Sequence, residues 1–242
     1  MKSRIILSLS VLLLLLLAAV AFCIFFDEAV FNRKGTIYRV NSSDKLVALT
    51  FDDGPSPDWT PKILDELKAA GIKATFFMLG NHVEKYPDVA RRIVSEGHEI
   101  GNHTYDHHVL IYYTMQELED ELNKADRVIK EATGVEARYF RPPKAWLTRE
   151  EKVKIKDMGY KVILWSLNSK DWVTFHDKQI TSYILRNIQP GDIILFHDSG
   201  GAFTAEGGNR TQTVKTIPRL VKKLKEKGYK FVTITQLLEG AK

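Results

Sequence analysis

The stretch LVALTFDDGPSPDWTPKILDELKAAGIKATFFML, residues 46–79, decides the fold class. Leu46 to Phe51 is a short β-rich run. It stops at Asp52-Asp53-Gly54-Pro55, where glycine and proline force a turn. Thr60 then offers an N-cap, Pro61 suits the first helical position, and Ile63, Leu64 and Leu67 form an apolar stripe. Gly71 can end that helix, and Lys73 to Leu79 reads as the next strand.

The same alternation continues outward. Gly97 precedes His98-Glu99-Ile100, Gly159 precedes Tyr160 to Trp165, and Gly228 precedes Tyr229 to Ile234. Each glycine follows a helical stretch, as a C-terminal glycine does. The longest helix is expected over Thr114 to Ala132. Thr114 and Glu117 form a capping box, Gly134 closes the far end, and Met115, Leu118, Leu122, Ala125 and Ile129 give the buried face. Seven candidate strands result, near residues 46, 74, 98, 138, 161, 192 and 230. Strands alternating with helices mean an α/β fold with a parallel sheet and helices outside it. The pattern alone permits a closed barrel or an open doubly wound sheet. One catalytic-sized domain is expected over 45–242, preceded by a linker or lead-in over 27–44.

Of the 242 residues, 44% are hydrophobic and 27% charged, which suits a globular body and argues against disorder. The N-terminus differs. Lys2 and Arg4 precede an apolar run from Ile5 to Phe26, broken only by Ser8 and Ser10. Residues 1–26 therefore read as a signal peptide or a signal anchor. Ala19-Val20-Ala21 offers a cleavage site, whereas the length of the run is about the 20 residues that span a bilayer. Cleaved, the protein is secreted; uncleaved, it is attached to the membrane through residues 5–26. The basic start places the body outside the cytoplasm in both cases. Cys23 is the single cysteine, so the body can form no internal disulfide, and Phe22 before it argues against lipid attachment. Net charge is +5, or +3 without Lys2 and Arg4, and is spread along the chain. That is no nucleic-acid footprint. A monomer is the default expectation.

Five polar clusters follow the predicted strands. In Thr50-Phe51-Asp52-Asp53-Gly54-Pro55 two adjacent carboxylates can point in different directions, one to a metal and one free as a base. A bare Asp-Asp-Gly is more often only a turn. In His103-Thr104-Tyr105-Asp106-His107 two histidines four apart lie on one side of a helical turn and can share a metal with an aspartate from another strand. His108 would point elsewhere. Arg141-Pro142-Pro143 supplies an arginine able to hold a carboxylate, on a backbone fixed by proline. Asn168-Ser169-Lys170-Asp171-Trp172 and Leu195-Phe196-His197-Asp198 follow two later strands, and His197 can serve as an acid near neutral pH. Singly each cluster is ordinary. Together, in a parallel barrel, they converge on one face.

Over roughly residues 44–236 these clusters resemble the motifs of the polysaccharide deacetylases with the NodB homology domain (carbohydrate esterase family 4). TFDDGP at 50–55 and HTYDH at 103–107 carry the resemblance. It implies a distorted (β/α)7-type barrel. It implies that Asp53, His103 and His107 bind a divalent metal, usually zinc and sometimes cobalt or manganese. Asp52 would be the general base toward water and His197 the general acid toward the leaving amine. Arg141 would orient Asp52, and Asp171 would tune His197. Trp172 and Leu195 would line the acetyl pocket, and the Lys144 backbone N–H would stabilise the oxyanion. The expected substrate is an amino-sugar polymer: N-acetylglucosamine or N-acetylmuramic acid in peptidoglycan, or chitin oligomers. Another acylated polysaccharide such as xylan, or an inactive carbohydrate-binding envelope protein, are the alternatives. Lys144-Ala145 stands where many members have an aromatic residue and glycine, Asn168 replaces a common aspartate, and residues 200–210 form a long loop.

Overall fold

The computed structural model of the chain describes residues 8–16, 29–174, 176–200 and 206–240. Its strands are β1 (Leu46–Asp52), β2 (Thr75–Met78), β3 (Glu99–Asn102), β4 (Tyr139–Phe140), β5 (Lys161–Val162), β6 (Leu167–Asn168), β7 (Asp192–His197) and β8 (Lys230–Phe231). They lie in the order β5-β4-β3-β2-β1-β7-β6, with β8 joined to the start of β1. Every pairing is parallel. The helices are α1 (Thr60–Ala69), α2 (Gly80–Lys85), α3 (Pro87–Ser95), α4 (Met115–Thr133), α5 (Arg149–Asp157), α6 (Asp177–Asn187), α7 (Thr211–Glu226) and α8 (Ile234–Glu239).

Strand alternation divides the apolar residues between two layers. On β1, Val47, Leu49 and Phe51 face the helices, packing with Ile63, Leu64, Phe76, Ile194 and Phe196. The rings of Phe76 and Phe196 stack on Phe51 at 5.0 and 5.8 Å. Leu46 and Ala48 belong to the inner cluster with Phe77, Ile193 and Leu195. By the same alternation Thr50 and Asp52 continue the inner row of β1, and His197 that of β7. The register sets Asp52 opposite His197. Two chemical groups distant in sequence thus reach the same end of neighbouring strands.

The sheet curls into a distorted (β/α)7-type barrel. One expected strand, Tyr160 to Trp165, is broken. Its first part, β5, pairs with β4, and β6 a few residues on pairs with β7. Residues 163–166 bridge the gap, and Ile37 pairs with Ile163 there. The freed carbonyls of Ile163 and Leu164 accept Arg141 Nε and Nη2, each at 3.2 Å. An arginine from the neighbouring strand end meets backbone needs that a ladder would otherwise meet.

One further expectation is corrected. Thr60 is not the cap of α1: Trp59 stands there, without a side-chain bond, and Thr60 is the first helical residue. In the expected linker or lead-in, the described residues from Ala29 on pack against the barrel. Ala29 and Val40 are buried in the inner cluster. Arg39 bridges Asp192 at 2.6 Å, and Val40 N–H donates to Gly191. Helix α4 is as expected, with the Thr114–Glu117 capping box and Gly134 in the left-handed region. At the N-terminus residues 8–16 are helical. No helix among the described residues is long and apolar enough to cross a membrane. The rest of the 5–26 run, the Ala21 cleavage point and Cys23 lie outside the described residues.

Candidate active site

The carboxylate of Asp52 is buried at the barrel mouth. Its Oδ1 accepts Arg141 Nη1 at 2.6 Å. The same nitrogen donates to Thr50 Oγ1 at 2.8 Å. The guanidinium is fully buried and lies 4.0 Å from the Phe77 ring centroid. Four of its five N–H donors are therefore used on Asp52, Thr50 and the two carbonyls of the broken strand, which leaves it one orientation. Burial pushes the Arg141 pKa down, against the pull of Asp52.

Asp53 leaves the alternation because its φ is +74°. The residue after Asp52 therefore does not turn outward to the helices. Its Oδ1 lies 3.4 Å from His103 Nε2 and 3.3 Å from His107 Nε2. The ligand atoms of the three residues fall within 4.8 Å of one another. The loop that supplies the histidines is not the helical turn expected. Thr104 and His107 both have positive φ, at 76° and 61°. Asn102 Oδ1 accepts Thr104 N–H at 2.8 Å, and Thr104 Oγ1 accepts His107 N–H at 2.9 Å. These bonds, not an α-turn, bring the imidazole centroids to 5.2 Å.

The group fits a divalent metal. Asp53 Oδ1 is buried without a hydrogen-bond partner. His103 Nδ1 donates to the Arg141 carbonyl at 2.7 Å, which leaves Nε2 free to act as a ligand. One carboxylate and two imidazoles suit zinc and its neighbours. The charge states of Asp53 and His107 agree with this. Burial opposes the Asp53 carboxylate, yet His107, His103 and His197 hold its pKa well below the usual range. Burial pushes His107 down to about 4 despite Asp53, so its imidazole is neutral, as a ligand must be. His103 goes the other way: burial lowers its pKa, but Asp52 and Asp53 outweigh that and raise it.

His197 ends β7, in register with Asp52 of β1. Its Nδ1 bonds Asp171 Oδ1 at 2.8 Å, and its backbone N–H donates to Asp171 Oδ2 at 3.0 Å. Thr213 Oγ1 donates to the same Oδ2 at 2.6 Å, and Gln212 Nε2 to the Asp171 carbonyl at 2.6 Å. Burial disfavours the imidazolium, but Asp171 more than compensates, and the His197 pKa rises. Burial also opposes the Asp171 carboxylate, and His197 nonetheless holds it down at about 2. The Nε2 of His197 remains as the nitrogen available to a substrate.

Trp172 is half-buried in the turn after Asp171, and Leu195 lies inside the barrel two residues before His197. Lys144 is exposed, with φ of 55°, and Ala145 beside it is buried with φ of 60°. Alanine thus occupies a left-handed conformation that glycine adopts at less cost. Asn168 holds the next turn in shape. Its Oδ1 accepts Lys170 N–H at 2.9 Å, supporting another positive-φ residue before Asp171.

Sequence reasoning misses two groups behind Asp53. His82, on α2, is buried and its Nδ1 meets the Asp53 carbonyl at 2.7 Å. Asp198 is fully buried beside Gly54 and Thr60. A histidine just after the strand 75–78 is a usable signal for the first; Asp198 adjoins His197 and gives none of its own.

Comparison with known proteins follows the same lines. A family model described as polysaccharide deacetylase matches residues 39–163. A peptidoglycan-N-acetylglucosamine deacetylase of Bacillus cereus is 36% identical over 196 residues, covering 81% of this chain and 69% of the relative. Among solved structures, the Bc1960 peptidoglycan N-acetylglucosamine deacetylase superposes with a TM-score of 0.80 at 34% identity, covering 85% of this chain and 93% of the other. BA3943 of Bacillus anthracis, described as a CE4 family pseudoenzyme, superposes at 0.77 with 32% identity, covering 85% and 69%.

Proposed function

The chain belongs to the polysaccharide deacetylase family, and from that premise we propose that it hydrolyses N-acetyl groups from an amino-sugar polymer, first of all peptidoglycan. One observation carries the reading. A carboxylate fixed by an arginine and a histidine fixed by an aspartate flank an Asp-His-His group whose central oxygen has no hydrogen-bond partner.

Asp53, His103 and His107 would hold the metal, which when bound polarises an acetamide carbonyl and lowers the pKa of water. Zinc is the ion proposed, with cobalt and manganese as substitutes. Asp52 takes the proton of the attacking water, with Arg141 fixing which oxygen is free to do so. His197 holds a proton on the opposite side and delivers it to the departing amine nitrogen. Asp171 keeps that imidazole protonated and oriented. The Lys144 N–H stands in the tight turn 143–145 as a donor to the developing oxyanion. Trp172 and Leu195 shape the space for the acetyl methyl.

A second reading is favoured by the likeness to a pseudoenzyme: an inactive carbohydrate-binding protein of the same fold. The presence of Asp52, Asp53, His103, His107, Arg141, Asp171 and His197 together speaks for catalysis. The action proposed is extracytoplasmic, in keeping with the basic and apolar N-terminus and with a relative named for peptidoglycan. Two variants test the roles. Asp52→Asn is expected to abolish turnover and keep one metal per chain, whereas His103→Ala loses the metal. Metal loss in the first variant, or full occupancy in the second, reverses the assignment of the neighbouring carboxylates.

A further inference from the structure

Asp53 and Asp52 sit on a turn, and a turn must be held by something. Asp198 lies one residue past the end of β7 and is fully buried. Its backbone N–H donates to the Asp52 carbonyl at 3.1 Å. Its carboxylate lies against Gly54 so closely that a Cβ built there would fall on it. Its Oδ2 accepts Thr60 Oγ1 at 2.5 Å, and Thr60 Oγ1 in turn accepts Ser56 N–H at 2.8 Å. The chain from Asp52 to Thr60 is thus gripped at its start, middle and end, all through one side chain and its own amide.

Charge is not what makes this grip. Among the described residues no cation lies within ion-pair distance of Asp198, and Asp52 and Asp53 are both close enough to disfavour a third negative charge. A buried carboxyl without a counter-ion is costly, and apolar packing would be cheaper. What an apolar residue could not do is accept the Thr60 hydroxyl while filling the space beside Gly54. We infer that Asp198 is a positioning residue for Asp53 and Asp52, acting through Gly54 and Thr60 by shape and hydrogen bonding. This rests on the reading of Asp53 as a metal ligand.

The test uses the full chain with Asp198→Ala, Thr60→Val and Asp198→Asn. Zinc affinity is measured by competition with a chelator, on protein shown to be folded by circular dichroism, and kcat and KM are then taken on N-acetylglucosamine oligomers. Residues that hold a metal's ligands in place typically change affinity 10–100-fold when lost, so Asp198→Ala and Thr60→Val should each lose roughly that factor. Both should lose kcat with little change in KM. Asp198→Asn, which keeps the shape and the acceptor, should restore both quantities. A role confined to global stability would lower the melting temperature and leave zinc affinity of the folded protein unchanged, and that result overturns the inference. An Asp198→Asn variant as weak as Asp198→Ala overturns the claim that shape, not charge, is used. If the unaltered chain binds zinc but releases no acetate, the deacetylase reading fails, while the affinity series still decides the role of Asp198.

Discussion

Asp52 and Asp53 are neighbours with opposite surroundings. One is tied to a buried arginine, the other faces two imidazoles, and a single positive φ between strand and turn separates the two. The same economy appears at His197, whose proton is held by one carboxylate. Burial lowers the His197 pKa, but Asp171 outweighs it, so the proposed acid holds its proton to higher pH than an ordinary histidine. Its linked stability is fully present below the unfolded-state histidine pKa and is lost as pH rises through the folded value. The Asp171 side runs oppositely: its contribution is present above the ordinary carboxylate pKa and fades as pH falls toward about 2. Asp171→Asn is therefore expected to move the alkaline fall in kcat to lower pH. A pH–rate profile checks this, and an unmoved limb would show that Asp171 does not set the His197 proton. Residue types and spacings make most of these groups legible in the sequence, because each follows a strand. Asp198 is not legible there, and His82 shows only its place just after the strand 75–78. Their meaning lies in contacts to Asp53 and Gly54, far away in sequence, and neither stands in a spacing that implies such contacts.

At the level of elements, local signals are reliable where the element answers only to itself. Helix α4 has its cap, its buried stripe and its left-handed glycine where local chemistry puts them. Thr114 Oγ1 accepts Glu117 N–H at 3.2 Å, and Glu117 Oε2 accepts Thr114 N–H at 2.7 Å. The cap is exposed and remote from the barrel's inner row. Thr114→Ala should thus cost about 1 kcal/mol in thermal or denaturant unfolding and leave kcat/KM unchanged. The segment 160–165 departs from its pattern for the converse reason. Its apolar run suits a strand, but Arg141 takes its carbonyls, and nothing within the segment announces that. Thr60 departs likewise. Its hydroxyl belongs to Asp198 and Ser56 rather than to the end of α1.

For the molecule as a whole, parallel alternation predicts the layers, and the curling of the sheet into a distorted barrel follows only from the resemblance. Residues 163–166 carry the chain between β5 and β6, the two ends of the strand order, and Ile37 pairs with Ile163 there. Those contacts join distant parts of the chain, so periodicity cannot reveal them. The folded barrel gathers the proposed metal ligands from the end of β1 and from the loop after β3, which the unfolded chain keeps apart. Metal should therefore stabilise the native state by linkage, about 2.7 kcal/mol at a hundredfold excess over Kd. For a domain of this size that is a rise in Tm of roughly 5–10 °C, absent in His103→Ala. Differential scanning calorimetry of the metal-free and zinc-loaded chain measures it, and equal midpoints would deny that these ligands form a site in the folded protein.

Acetate release from purified peptidoglycan and from N-acetylglucosamine oligomers tests the proposed deacetylation itself. The chain is first stripped of metal and then restored with zinc, cobalt or manganese, with Asp52→Asn as the control. Release is expected to appear with metal and to be absent both without metal and in the variant. Folded, metal-loaded protein that releases no acetate from either substrate would contradict the proposed deacetylation, and would turn the site's geometry toward a carbohydrate-binding role.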